Sequence, residues 1–313
     1  MGTMMALRAR TRGGPEQLVY EQAPAPSAGP GEVLVAVHAA AITFAELTWD
    51  LSWTTRDGVD RTPVIPSHEM SGTVAALGEG VTSLAAGDEV IGLIDFDRDG
   101  AAAEYVAVPA GTLAAKPGPV SHRDAAALPL AALTAWQALV EHAALESGER
   151  VLILGGAGGV GLFAVQLAAI LGGQVTATGR AADARLVVDL GAADFVSFDA
   201  PDAAELPAGF DVVIDTVGGA ALAGSYALLR EGGRLVTLGA PPDAGLAAEH
   251  KVHAMFFVVA QDPDGLAQLA TMSGAGKLRS VISQTFPLAD GRRAYESGGH
   301  PRPPGKTVLL VRE

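Results

Sequence analysis

Between Arg150 and Leu171 the chain reads RVLILGGAGGVGLFAVQLAAIL, which places Gly156, Gly158 and Gly161 in the spacing G-x-G-x-x-G. An apolar run precedes these glycines and a helical pattern follows them. Gly156 is expected to permit a tight turn, Gly158 to let a pyrophosphate approach the backbone, and Gly161 to let the helix pack closely on the strand. The helix predicted over 160–171 buries Phe163, Ala164, Leu167, Ala168 and Leu171, so Gly159 and Val160 stand where its free amides face an anion. These residues suit the holding of a dinucleotide. A second strand, QVTAT, ends at Thr178 and leads into Gly179 and Arg180, where selection of NAD would call for a carboxylate against the ribose 2′-hydroxyl. Arg180 offers instead a planar fork for a 2′-phosphate, with Arg185 or Lys251 in support, so NADPH is the expected cofactor.

The elements around this motif alternate. RVLILG, QVTAT, DFVSF, DVVIDT and RLVTLG read as strands, and helical patterns separate several of them, which requires a parallel sheet covered on both faces. Residues before about 115 read differently: VLVAV, VIPSHEMSGTVAAL, GDEVIGLI and AAAEYVAV are short strands parted by Gly and Pro. The texture changes after Pro117 and Pro119, and the end, KTVLLV, reads as a returning strand.

Composition narrows the partners. The 313 residues suffice for about two domains at ~150 residues each. Acidic residues number 35 against 21 basic, a net charge of −14 spread along the chain, which disfavours nucleic acid. There is no cysteine, hence no disulfide, thiolate zinc ligand or thiol nucleophile. Residues 151–178 are uncharged and long enough to cross a bilayer, but their glycines divide them into strand, turn and helix. No membrane span and no export signal are expected, and a cytoplasmic location follows. The glycines are not followed by G-K-[ST], HEMSG lacks the second His of H-E-x-x-H, and no G-x-S-x-G occurs.

Further segments extend the pattern: Pro63, Pro66, Glu69 and Gly72 in PxxPxxExxG, GDEV at 87–90, AEYV at 103–106, LTAWQAL at 133–139, GGAGGVG at 155–161, DVVIDTVGG at 211–219 and GGRLVTLG at 232–239. Together they make nearly the whole chain resemble the medium-chain dehydrogenase/reductase superfamily, in its zinc-independent, quinone-oxidoreductase-like branch. The resemblance implies an α/β protein: a GroES-like, β-rich catalytic domain of residues 1–119 and 263–313, and a Rossmann NADP-binding domain of residues 120–262 with a doubly wound parallel sheet. It also implies a cleft between them and a homodimer through the last Rossmann strand, here KVHAMFFVV at 251–259. Thr216 would border the nicotinamide ribose, Gly239 after the next strand would also contact the cofactor, and Phe257 and Val258 would approach the nicotinamide.

Zinc-containing alcohol dehydrogenases, which the chain also resembles, take metal ligands where Thr43, His68 and Leu130 stand here. A single imidazole does not make a tetrahedral site, so no metal is expected. Without a Lewis acid, hydride transfer to an electron-poor double bond is favoured, giving reduction of a quinone or an α,β-unsaturated carbonyl. Thr43 is placed to contact cofactor, substrate or water. His68, Thr43 and Tyr105 are the candidates for delivering a proton, alongside solvent. Phe44, Trp49 and Trp53 would wall a pocket for a flat apolar substrate. Two alternatives stand beside this reading: an NADPH-binding regulatory or structural protein with little turnover, and a tailoring enzyme of secondary metabolism.

Overall fold

The computed structural model describes residues 2–199 and 206–312. The chain divides into two units, Met1–Leu130 with Gln261–Glu313, and Ala131–Ala260.

In the first unit, β1 (Thr3–Ala9) and β2 (Leu18–Pro24) form an antiparallel pair. Then come β3 (Glu32–Ile42), β4 (Glu69–Leu77), β5 (Glu89–Leu93), β6 (Tyr105–Pro109), β7 (Leu113–Ala115) and the short helix α1 (His122–Ala125). β3 shows why this segment is a strand. Val33, Val35 and Val37 are buried on one face while Leu34 and Ala36 are partly exposed on the other, the two-residue period of a strand with one face in a core. Beyond His38 the period gives way to continuous burial, because Ala39 and Ala41 also meet Ala126, Ala127 and Val308.

The second unit is a succession of βα turns. After α2 (Pro129–Trp136) come β8 (Arg150–Leu154), α3 (Gly161–Ile170), β9 (Gln174–Gly179), α4 (Ala184–Asp189), β10 (Asp194–Ser197), β11 (Phe210–Asp215), α5 (Gly219–Ser225), β12 (Leu229–Thr237), α6 (Ala244–His250) and β13 (His253–Phe256). The six strands are all parallel, in the order β10-β9-β8-β11-β12-β13. β8 is buried along Val151–Leu154, as a central strand with both faces covered must be. The order reverses between β8 and β11, so the loops leaving those strands part and leave room at the carboxyl edge. This is the doubly wound parallel sheet that the alternation predicts.

The chain returns to the first unit through α7 (Pro263–Gly274), β14 (Ile282–Pro287), α8 (Gly291–Glu296) and β15 (Lys306–Leu310). β15 pairs with β3, completing a seven-stranded sheet of order β14-β15-β3-β4-β5-β7 in which β6 also pairs with β3. Among the described residues no helix is long and apolar enough to cross a membrane.

Candidate functional site

At the carboxyl edge of β8 the chain turns through Gly155 with φ +79°, a torsion that favours glycine. The turn therefore rests on Gly155 rather than on Gly156, which sequence spacing alone had suggested. A Cβ on Gly156 would lie 2.8 Å from that of Ala177 on β9, and one on Gly161 would lie 2.0 Å from the Gly155 carbonyl oxygen. Gly156 thus permits close packing against the neighbouring strand, and Gly161 lets α3 begin directly over the turn. Thr178 tethers the loop, since its Oγ1 accepts from the Gly155 N–H at 3.2 Å and its carbonyl from the Gly156 N–H at 2.8 Å. No side chain caps α3 at Val160; the N–H groups of Gly158, Leu162 and Phe163 are taken by the carbonyls of Gly155, Gly158 and Val160, and those of Gly159, Val160 and Gly161 make no backbone bond among the described residues, which leaves them to an anion. Gly158 adds no side chain there, and Gly159 lies between it and Val160 in the same loop.

Across the switch point, Thr216 Oγ1 donates to the Leu154 carbonyl at 2.8 Å, and a Cβ on Gly155 would meet that hydroxyl oxygen at 2.6 Å. Buried Asp215 holds the turn after β11, accepting from the N–H groups of Val217 and Gly218 at 3.0 Å and from Thr237 Oγ1 at 2.7 Å. Gly239 lies against this turn, where a Cβ would be 2.8 Å from Gly218 Cα. Phe257 packs on His142 with ring centroids 4.2 Å apart, while Val258 is exposed. Gln137 fixes the end of this segment by bonding both the N–H and the carbonyl of Ala260.

Arg180 follows β9 directly, and its Nε donates to Asp183 at 3.0 Å while its side chain stays 39% exposed. Asp199, bonded to the Ala181 N–H, is the second carboxylate near it; Ser197, that N–H and the Arg180 charge hold its pKa below the usual aspartate range. Arg185 points into solvent close to Asp189. Lys251 does not join this cluster. It precedes β13 and so sits at the amino edge of a parallel sheet, where it pairs with Glu231 at 3.1 Å. Its expected support for Arg180 is therefore excluded by the strand direction.

The first unit carries a different kind of site. Glu46, from the short turn after β3, is buried and gathers three donors and a ring nitrogen. Its Oε2 accepts from the Ser67 N–H at 2.8 Å and meets His68 Nδ1 at 3.0 Å. Its Oε1 accepts from the Thr43 N–H at 3.3 Å and from the Tyr295 hydroxyl on α8. Burial, with the Glu46 charge second, holds the Tyr295 phenol well above the usual tyrosine range, so it stays a donor. Ser67 takes φ +73°, costly for a residue with a Cβ, and is held there by Glu46 and by its own Oγ bond to the Ala41 carbonyl at 2.8 Å. Beside it, Glu69 is wholly buried with Lys306 Nζ 2.5 Å from its Oε1; burial raises its pKa, and Lys306 and the Leu130 N–H oppose that rise.

The structure separates the remaining expected residues. Thr43 and His68 share Glu46, whereas Tyr105 lies under the Arg312 guanidinium at 4.5 Å and lines a cavity of about 440 Å³ with Arg8, Arg98 and Asp99. Phe44 lines another cavity, of about 540 Å³, together with Tyr295 and His300. Trp49 meets Phe96 edge-on at 5.2 Å, and Phe96 meets His68 edge-on at 5.4 Å. Trp53 is a core residue: it is 3% exposed and its indole N–H donates to the Leu47 carbonyl at 2.9 Å. Its expected place in a pocket wall gives way to packing. Glu46 and Tyr295 escaped sequence reasoning because they are 249 positions apart and belong to no spaced motif.

Two family models match the chain, an alcohol dehydrogenase GroES-like domain over residues 29–118 and a zinc-binding dehydrogenase over residues 183–309. A mitochondrial NAD(P)H oxidoreductase, RTN4IP1 of Danio rerio, is 32% identical over 91% of this chain and 84% of its own length. A chloroplastic quinone-oxidoreductase homolog of Spinacia oleracea is 31% identical over 95% of each. A quinone oxidoreductase structure from Coxiella burnetii superposes with TM-score 0.90 at 30% identity, over 99% of this chain and all of the other. The organelles named for the first two overturn the expectation of a cytoplasmic location. Zinc does not suit the residues present. His68 has neighbours Thr43 and Leu130 at the positions compared above, and among the described residues no group of three or more His, Cys, Asp or Glu side chains converges as a metal site.

Proposed function

We propose that this chain, which belongs to the medium-chain dehydrogenase/reductase superfamily and within it to the quinone-oxidoreductase-like branch, reduces a quinone or an α,β-unsaturated carbonyl with NADPH and without a catalytic metal. It is an oxidoreductase that works with a nicotinamide cofactor. The observation that carries the finer reading is the uncapped start of α3 over the Gly155 turn, followed across β9 by a cation, Arg180, where NAD selection calls for an acid.

In this reading the amides of Gly159, Val160 and Gly161 hold the diphosphate, while that of Gly158 closes the loop on the Gly155 carbonyl at 2.9 Å. Thr178 and Thr216 brace the loop, and the Arg180 fork, preset by Asp183, meets the 2′-phosphate. Gly239, Phe257 and Val258 border the nicotinamide half. When bound, the cofactor supplies a hydride. The Thr43 hydroxyl contacts the oxygen on which negative charge develops, and a flat apolar substrate lies by Phe44 and Trp49. A homodimer through edge strand β13, whose Phe256 is exposed, completes the proposal.

The test is oxidation of NADPH by phenanthrenequinone, with undiminished rate after chelation and weaker use of NADH. Arg180→Glu should cut the NADPH-over-NADH preference by about ten- to a hundredfold, the worth of a charge-assisted bond of about 1.5–3 kcal/mol. An unchanged preference removes Arg180 from its role.

A further inference from the structure

We infer that Glu46 is a positioning residue that fixes His68 with its hydrogen on Nδ1, so that Nε2 is a bare lone pair and His68 serves as a hydrogen-bond acceptor rather than as the acid of the reaction. Three donors and the His68 Nδ1 atom converge on Glu46, and two of the donors, the N–H groups of Thr43 and Ser67, can only donate. The Ser67 N–H and His68 Nδ1 share one oxygen, Oε2, at 2.8 and 3.0 Å. A carboxyl hydrogen on Oε2 would be directed at the Ser67 N–H or would compete with it, so the carboxylate accepts and Nδ1 donates. The Tyr295 hydroxyl donates to the other oxygen and fills it.

Turning the ring over about Cβ–Cγ would put Cδ2 where Nδ1 stands and forfeit the bond to Glu46. The His68 carbonyl accepts from the Ile94 N–H at 2.7 Å, and the preceding Ser67 carbonyl accepts from the Ala101 N–H at 2.6 Å, which pins the backbone. On the far side of the ring, Nε2 is buried and has no hydrogen-bond partner among the described residues. A bare lone pair tolerates that isolation better than an N–H or an imidazolium would, because an unpaired buried donor or charge costs more than an under-used acceptor. Of the three proton-delivery candidates, His68 is thereby removed as a donor. Only this catalytic consequence rests on the reductase reading; the position of the hydrogen does not.

Long-range nitrogen-15 NMR of the histidine-labelled full chain near neutral pH reads that position directly, with His68→Asn identifying the signals by their loss. The expected spectrum has a hydrogen on Nδ1 and an unprotonated Nε2; a hydrogen on Nε2, in a neutral or a cationic ring, overturns the inference. In Glu46→Ala the hydrogen should redistribute toward Nε2, and a folded variant with an unchanged tautomer removes Glu46 as the group that sets it. Should that variant fail to fold, the wild-type spectrum still decides. His68→Asn keeps an N–H for Glu46 and deletes the acceptor, so kcat/KM for the quinone should fall about tenfold, the worth of one hydrogen bond, with Tm nearly unchanged. Full activity in that variant overturns the acceptor role. Absence of quinone turnover in the wild type defeats the reductase reading instead, and the nitrogen shifts then answer for the inference alone.

Discussion

The turn after β8 and the cluster around Glu46 hold their partners by opposite means. The first is backbone: its specificity lies in where side chains are missing, at Gly155, Gly156 and Gly161, and all its parts fall within one short stretch plus the ends of β9 and β11. The second is side chain, assembled from Thr43, Glu46, Ser67, His68 and Tyr295, and it works only because every donor finds the same carboxylate. A backbone site fails when an atom is added, and a side-chain cluster fails when one is taken away.

Two substitutions should break the comparison along those lines. Glu46→Ala takes the acceptor from the buried Ser67 N–H and Tyr295 hydroxyl, from the partly buried Thr43 N–H and from His68 Nδ1; at about 1–3 kcal/mol for each unpaired group, a loss of about 4 kcal/mol is expected, seen as a fall in Tm of about 10 °C by calorimetry. Gly161→Val should lower Tm by less than Glu46→Ala and should also weaken NADPH binding about a hundredfold by fluorescence titration. Its Cβ meets the Gly155 carbonyl, a backbone atom that cannot swing aside, and overpacking of this kind costs up to about 3 kcal/mol. Equal damage to stability from both variants would erase the distinction.

The smallest effect sharpens the contrast between buried and surface charge. In the second unit Arg234 grips Glu149 through two bonds, at 2.8 and 2.6 Å, and this pairing is the main reason the Glu149 pKa is lowered. A carboxylate with a lowered folded pKa contributes stability above its unfolded pKa and loses it as pH falls through the folded value. Wild type and Arg234→Met should therefore differ by about 1 kcal/mol at pH 7, and the difference should shrink below the ordinary glutamate range near pH 4.5, measured by urea unfolding. A constant gap across pH would assign the effect to packing of the arginine stem.

How far each region was legible follows from the same contrast. Glycine spacing, the apolar run of β8 and the helical period of α3 are local, so the loop, the alternation and the parallel sheet can be read in order along the chain. Even there spacing names the wrong glycine for the turn, because only the torsion at Gly155 reveals where the chain reverses. Lys251 illustrates a second limit: a cation is visible in sequence, but the edge of the sheet at which it stands is not. Trp53 and Trp49 look alike in FAELTWDLSW, yet one indole is committed to the Leu47 carbonyl in the core and the other remains partly exposed. Tyr295 offers no local signal at all, since its partner lies on the other side of most of the chain.

The amide-lined turn would matter chemically if the proposed electrophilic substrate is the right one. Peptide nitrogens in a Gly-Ala-Gly-Gly-Val-Gly run offer nothing to alkylate or oxidise, and the chain contains no thiol elsewhere. Under the proposed function, a reactive acceptor that escaped reduction would find no soft nucleophile at the turn assigned to the diphosphate, and durability toward such reagents would follow from the absence of side chains.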